Sequence, residues 1–180
     1  MNLACRRVLS REDPAWPFIG ASWLESFRES HFAGPVPYDV YREVYPRIIV
    51  WYTEREGAEL WVAYNPEASE QWFGFVAIER NVWEGRSKRS LPAIQYIYTK
   101  AIFRTKMYRG NGEMRVEERG AGVARALLAA AGINPLKPFV YGWRTAIAAE
   151  LVAHKKLSGH YNPLAFRSPK PATHGSMETR

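Results

Sequence analysis

Residues 119–128 read RGAGVARALL. Gly120 and Gly122 stand where an extended apolar region gives way to a helical pattern, and glycine lets backbone turn tightly and approach a ligand closely. Behind them Ala124, Leu127, Leu128 and Ala131 recur at helical spacing, with Gly132 as the stop, which predicts a helix over 122–131. A helix start leaves its first amide N–H groups unbonded and carries partial positive charge, so a glycine turn opening a helix suits a phosphate group. Arg119, Gly122 and Ala124 fit the pattern R/Q-x-x-G-x-G/A. The amides of Gly120, Ala121, Gly122, Val123 and Ala124 are the expected phosphate donors, and Arg119 can add a charge-assisted contact. The same residues also fit a turn that only lets helix and strand pack closely.

Working upstream, 92–104 (PAIQYIYTKAIFR) reads as a long strand rich in Ile, Tyr and Phe. It ends on Arg104, which takes the Arg/Gln place of the motif if 105–118 is an insertion. That polar stretch is expected to be a small hairpin or a mobile flap. Its Arg109-Gly110-Asn111-Gly112 is a decoy, because no apolar helix follows it. Before it, ELWVAY (59–64) and WFGFVAIE (72–79) form a hairpin around Asn65-Pro66, and 81–90 reads as a polar, basic loop. Residues 4–9 suggest a first strand, and Asp13-Pro14 offers a helix cap before Trp16, Ile19, Trp23, Leu24 and Phe27. A second helix is expected over 38–54 with Tyr41, Val44, Ile48 and Tyr52 on one side, kinked or split at Pro46. Downstream come a strand at 138–143, a helix at 145–157 and an edge segment at 161–166. The order β, α, α, β, β, β, α, β, α predicts an α+β domain over 1–167, with a mostly antiparallel sheet of six or seven strands and about four helices. The tail 168–180 is polar and is expected to be disordered.

Composition narrows the partners. The net charge of +7 favours anionic ligands, but no dense basic block exists, so sequence-specific nucleic-acid binding is not expected. Seven Trp, ten Tyr and eight Phe imply a core rich in rings or a buried partner surface. A lone Cys5 excludes an intrachain disulfide and fits a reducing compartment. Neither a membrane span nor a signal peptide is expected, so the cytoplasm is the predicted location. His31, His154, His160 and His174 show no metal spacing, and Ser10, Ser22, Ser26 and Ser30 lie in no nucleophile elbow.

The order of elements and the motif at Arg119–Ala124 resemble the GCN5-related N-acetyltransferases, the GNAT superfamily. ELWVAYN…WFGFVAIE is similar to its second and third strands, YIYTKAIFR (96–104) to its fourth, and GVARALLAAAGI (122–133) to its pyrophosphate-facing helix. The likeness covers roughly 4–166. SWLESFRESHFAG (22–34), YIYTKAIFR with GVARALL, and YNPL (161–164) also resemble GNAT-like proteins encoded by tailed bacteriophages.

The resemblance implies acetyl-CoA as cofactor and direct attack of an amine, small-molecule or protein, on its thioester. It implies that backbone near Ile97, Tyr98 and Thr99 binds the pantetheine arm and the carbonyl oxygen. Ordinary sheet pairing is the alternative for those residues. For proton transfer, Glu79 is the candidate base, against an exposed strand-end charge; no acidic residue lies within 92–104. The family's acid is a Tyr on its fourth helix. Val152 falls near that place, leaving His154 and Tyr161 as candidates. Two functions stay open: an N-acyltransferase, or a catalytically inactive GNAT-fold phage protein with a structural or assembly role beside other virion proteins.

Overall fold

The structure is a computed structural model that describes residues 2–26, 34–85, 87–100, 106–110, 113–117, 122–142, 152 and 157–162. Its elements run β1 (Ala4–Val8), α1 (Trp16–Glu25), α2 (Tyr38–Thr53), β2 (Ala58–Asn65), β3 (Ala68–Glu84), β4 (Arg89–Thr99), β5 (Lys106–Gly110), β6 (Glu113–Glu117), α3 (Val123–Ala130), β7 (Phe139–Tyr141) and β8 (Gly159–Tyr161). A six-stranded sheet has the order β1-β2-β3-β4-β7-β8. β1 to β4 pair antiparallel, while β7 joins β4, and β8 joins β7, in parallel. The expected α+β class with a mostly antiparallel sheet is the class observed. β5 and β6 form a separate two-stranded antiparallel sheet inside the expected 105–118 insertion.

β3 shows how the sequence builds the layers. Successive side chains of a strand point to opposite faces, and here both faces are buried. Phe75 and Ala77 join Trp23, Tyr41, Tyr45 and Tyr96 under α1 and α2. Val76 and Ile78 join Val123, Leu127 and Phe139 under α3. The first cluster is largely aromatic: Trp23 stacks on Tyr96 at 4.9 Å, and Phe75 lies 5.5 Å from Tyr96 and 5.8 Å from Tyr98. Much of the chain's ring content therefore goes into core. Among the described residues, no helix is long and apolar enough to cross a membrane.

Several expectations change. The loop expected at 81–90 is mostly strand, because Val82 and Leu91 are buried opposite each other and extend the β3–β4 ladder. α2 is not split at Pro46: the helix runs unbroken through it. The carbonyl that Pro46 cannot bond belongs to exposed Arg42, where water can reach it. The buried face of α2 is Tyr41, Tyr45 and Ile49, while Val44 is 46 % exposed, so the helix is rotated from the expected face. Asp13 does not cap α1, whose N-cap is Ala15. Asp13 instead accepts the Ala15 N–H at 2.9 Å and pairs with Arg6 at 2.7 Å. The final edge strand is Gly159–Tyr161, ahead of the expected 161–166. Of the helix expected at 145–157, Val152 is helical and most of the rest lies outside the described residues.

Candidate functional site

α3 begins at Gly122, which adopts a left-handed conformation with φ 70° and ψ 20°. Only glycine takes this geometry without strain from a Cβ. The first bond within the helix runs from the Ala126 N–H to the Gly122 carbonyl at 2.8 Å. The N–H groups of Val123, Ala124 and Arg125 therefore have no carbonyl within the helix to bond. Nothing lies within 4 Å of where a Gly122 Cβ would stand, so the turn faces open space among the described residues.

Two contacts fix where this helix points. At its start, buried Val123 packs on Gly74 of β3; a Cβ on Gly74 would stand 3.1 Å from Val123 Cγ1 and 2.3 Å from the Tyr98 carbonyl oxygen. At its end, the Arg80 guanidinium donates to the Ala131 carbonyl and pairs with Glu59 at 3.0 Å. A cation on the last carbonyls complements the helix dipole. The helix thus runs along β3, with its amides beside the C-terminal end of β4.

β4 carries an irregularity of its own. Ala77 pairs with Tyr96 but Ile78 pairs with Ile94, so Gln95 is an extra residue and the strand bulges there. The bulge changes which way the backbone faces. Before it, the Ile94 carbonyl accepts from the Gly142 N–H at 3.2 Å, on the β7 side. After it, the Lys100 N–H donates to the Phe73 carbonyl at 2.9 Å, on the β3 side. Alternation then sends the Tyr98 N–H toward β3 and the Ile97 and Thr99 N–H groups away from β3. The ladder between β4 and β7 comprises Ala93↔Val140 and Ile94↔Tyr141 among the described residues, below this stretch.

Glu79 lies on the α1/α2 face of β3. It is 7 % exposed, so the reading as an exposed strand-end charge is overturned. Its strand continues to Glu84, which places Glu79 in mid-strand. Arg55 pairs with Glu79 Oε1 at 3.0 Å, and Gln95 Nε2 donates to Glu79 Oε2 at 2.9 Å. Burial pushes the Glu79 carboxyl above its ordinary value, against the opposing pull of Arg55 and Gln95. The Arg55 guanidinium also lies over the half-exposed Trp51 ring, 4.6 Å from its centroid.

The other expected residues are dispersed. Tyr161 sits on the edge strand β8, its ring 5.5 Å from Tyr141. Arg104, Arg119, Gly120, Ala121 and His154 lie outside the described residues. Gly74, Gln95 and Arg55 were not singled out by the sequence reading. A glycine inside a strand pattern signals close approach of another element, which could have found Gly74. Gln95, the polar residue between Ile94 and Tyr96, was a weaker sign; Arg55 gave none. A cleft of about 460 Å³ opens at the β1 edge instead, bordered by Arg7, Ser10, Arg11, Trp16 and Glu54. It is three strands from β4, and its Arg11 and Glu54 pair with each other. No cluster of three or more metal-ligating side chains occurs among the described residues.

No protein-family model matches the sequence, and no curated protein matches it. Among solved structures, the chain is similar to a ribosomal-protein-alanine N-acetyltransferase from Brucella melitensis biovar Abortus 2308. The identity is 13 %, over 96 % of this chain and 84 % of that one, with a TM-score of 0.41. It is similar to a protein from Pyrococcus horikoshii OT3 at 14 % identity, over 86 % of this chain and 87 % of that one, with a TM-score of 0.48. An aminoglycoside acetyltransferase from an uncultured soil metagenomic sample overlaps at 13 % identity, over 99 % of this chain and 93 % of that one, with a TM-score of 0.42. Overlaps this loose leave the site's own geometry to carry any reading of activity.

Proposed function

We propose that the chain is an acetyl-CoA-dependent N-acyltransferase that moves an acetyl group directly onto an amine. The observation that carries this reading is the start of α3: left-handed Gly122, with no described residue within 4 Å of where its Cβ would stand, and three amides without a partner in the helix, seated beside the end of β4. The chemistry there suits a diphosphate. The first turn of α3 holds no acidic side chain, and Arg125 is exposed within it. Gly120, Ala121, Gly122, Val123 and Ala124 are the proposed amide donors, and Arg119 and Arg104 the proposed cations.

When bound, acetyl-CoA supplies a thioester whose carbonyl oxygen gains negative charge as the amine attacks. Preorganised N–H donors stabilise such an oxygen. The β4 backbone at Ile97, Tyr98 and Thr99 is the proposed wall of this part of the site, with the Ile97 N–H as the donor. One proton must leave the nitrogen and one must end on the sulfur. Glu79 is the proposed acceptor of the first, because its burial favours the protonated form and it reaches the β4 bulge through Gln95. Tyr161 and His154 are the proposed donors of the second.

Titration calorimetry with acetyl-CoA tests the reading. Saturable heat is expected, and its absence at millimolar concentration refutes it. A second reading, a non-catalytic binding or virion component, is favoured by an apolar stripe on the outer side of α2. There Val40, Val44 and Trp51 are 45, 46 and 51 % exposed. That reading predicts the chain in washed virions by mass spectrometry, with no turnover of acetyl-CoA.

A further inference from the structure

We infer that α2 docks on α2 of a second copy of this chain, antiparallel about a two-fold axis; the inference does not depend on the N-acyltransferase reading. Val40, Val44, Arg47 and Trp51 stand at i, i+4, i+7 and i+11, so they line one stripe of the helix. The stripe faces away from Tyr41, Tyr45 and Ile49, which α2 buries in the core. Val40, Val44 and Trp51 are about half exposed, with Arg55 over one side of the Trp51 ring. Apolar side chains scattered singly on a surface are ordinary, but an aligned set on one helix is the kind of seam that a second helix covers.

The charges along the stripe select the partner. Glu43 borders it one turn before Arg47, and both are exposed. Neither forms an ion pair among the described residues. A uniformly acidic partner would meet a like charge at Glu43, and a uniformly basic one at Arg47. A parallel copy would set Glu43 beside the partner's Glu43. An antiparallel copy reverses the order. With Val40 against the partner's Trp51, Val44 lies against the stem of the partner's Arg47. Glu43 then comes within one residue's rise, about 1.5 Å along the axis, of level with the partner's Arg47. The two-fold repeats every contact, so two Glu43–Arg47 pairs form between the copies. Each Arg47 lies between the partner's Glu43 and its own, and its apolar stem covers the middle of the seam. One helix pair of this length makes an interface below about 1,200 Å² in total, the size of transient complexes, so the dimer should dissociate on dilution.

Sedimentation equilibrium from micromolar to millimolar concentration reads the association. The unmodified chain should pass reversibly from monomer to dimer. Glu43→Arg and Arg47→Glu should each weaken the dimer about tenfold, because both pairs between the copies become like-charged. An equimolar mixture of the two variants should regain the dimer, since in the mixed species an Arg meets a Glu at both pairs. Val44→Asp, which sets a charge in the seam, should leave a monomer. These side chains are exposed, so circular dichroism of each variant should match that of the unmodified chain. A monomer at millimolar concentration overturns the inference. A dimer that the single variants leave unchanged overturns it too, as does a mixture that fails to associate. Each of those outcomes leaves the stripe to a partner other than this chain and leaves acetyl-CoA binding untouched.

Discussion

Ala124→Asp separates the fold of α3 from its proposed ligand, because the two respond in opposite directions. Ala124 is the second residue of α3, half-buried, and the first turn holds no acidic side chain. A carboxylate there meets the positive end of the helix dipole and should stabilise the protein by about 0.3–1 kcal/mol. The same carboxylate would stand roughly 6 Å from a diphosphate on the neighbouring amides, since the helix rises about 1.5 Å per residue. At a solvent-like dielectric, repulsion across that distance is about 0.7 kcal/mol per pair of unit charges, or about 1.4 kcal/mol for two phosphate charges. Salt at 0.15 M has a screening length of about 8 Å and removes roughly half of this. Coenzyme A affinity should therefore fall about threefold at 0.15 M salt and about sevenfold at 0.01 M, where the screening length is about 30 Å, while the melting temperature holds or rises. Calorimetry at both salt concentrations, beside thermal denaturation, reads both quantities. Unchanged affinity at low salt in a variant at least as stable as the parent would refute a diphosphate at this helix start.

Gly74→Ala places a methyl 2.3 Å from the Tyr98 carbonyl oxygen and 3.1 Å from Val123. It should cost about 1–3 kcal/mol in urea unfolding and weaken coenzyme A binding, because α3 must shift; full affinity in that variant would show that the helix start is not the site. Leu127→Ala, at a side chain with no exposure, should cost about 2–5 kcal/mol through the cavity it leaves, read from the urea midpoint at constant slope. Burial raises the Glu79 carboxyl above its ordinary 4.5. The folded state then binds this proton more tightly than the unfolded one, so the contribution is fully present below about pH 4.5 and is lost as pH rises through the raised value. The stability of the parent minus that of Glu79→Gln should accordingly fall with rising pH over that window, and a pH-independent difference would contradict the shift.

What the sequence displayed, and what it hid, follows from the range of each interaction. Turn and helix signals are local. Gly122 opens α3 and Gly132 follows its end because the need for positive φ is written in one residue. Alternating apolar runs gave β2 and the core of β3 for the same reason. Burial of polar residues is not local. Glu79 and Gln95 are sixteen positions apart, and Arg55 comes from beyond α2; only the β3–β4 register brings the three together. The same register turns the polar stretch 81–90 into strand, since Val82 and Leu91 gain burial that neither shows alone. The buried face of α2 differs from the expected one because apolar side chains occur on both sides of it, and packing into the cluster with Trp23, Phe75 and Tyr96, not periodicity, selects Tyr45 over Val44.

The two halves of the proposed site also differ in how firmly they are built. The helix start is held at both ends by contacts that tolerate little change: Gly74 admits no Cβ beneath Val123, and Arg80 ties the Ala131 carbonyl to Glu59. Donors fixed in advance stabilise charge without having to reorganise, so this half resembles a site ready for its anion. The half at the bulge is also rigid, but it is incomplete. Gln95 is fixed by Glu79, Glu79 by Arg55, and the chain of bonds ends on an oxygen with no partner among the described residues. Gln95 has a role whatever the ligand: its Nε2 satisfies the buried Glu79 carboxylate, which an apolar residue in its place would leave short of a donor. The proposed site thus joins a preset anion seat at the helix start to a buried carboxylate whose orientation Arg55 and Gln95 fix between them.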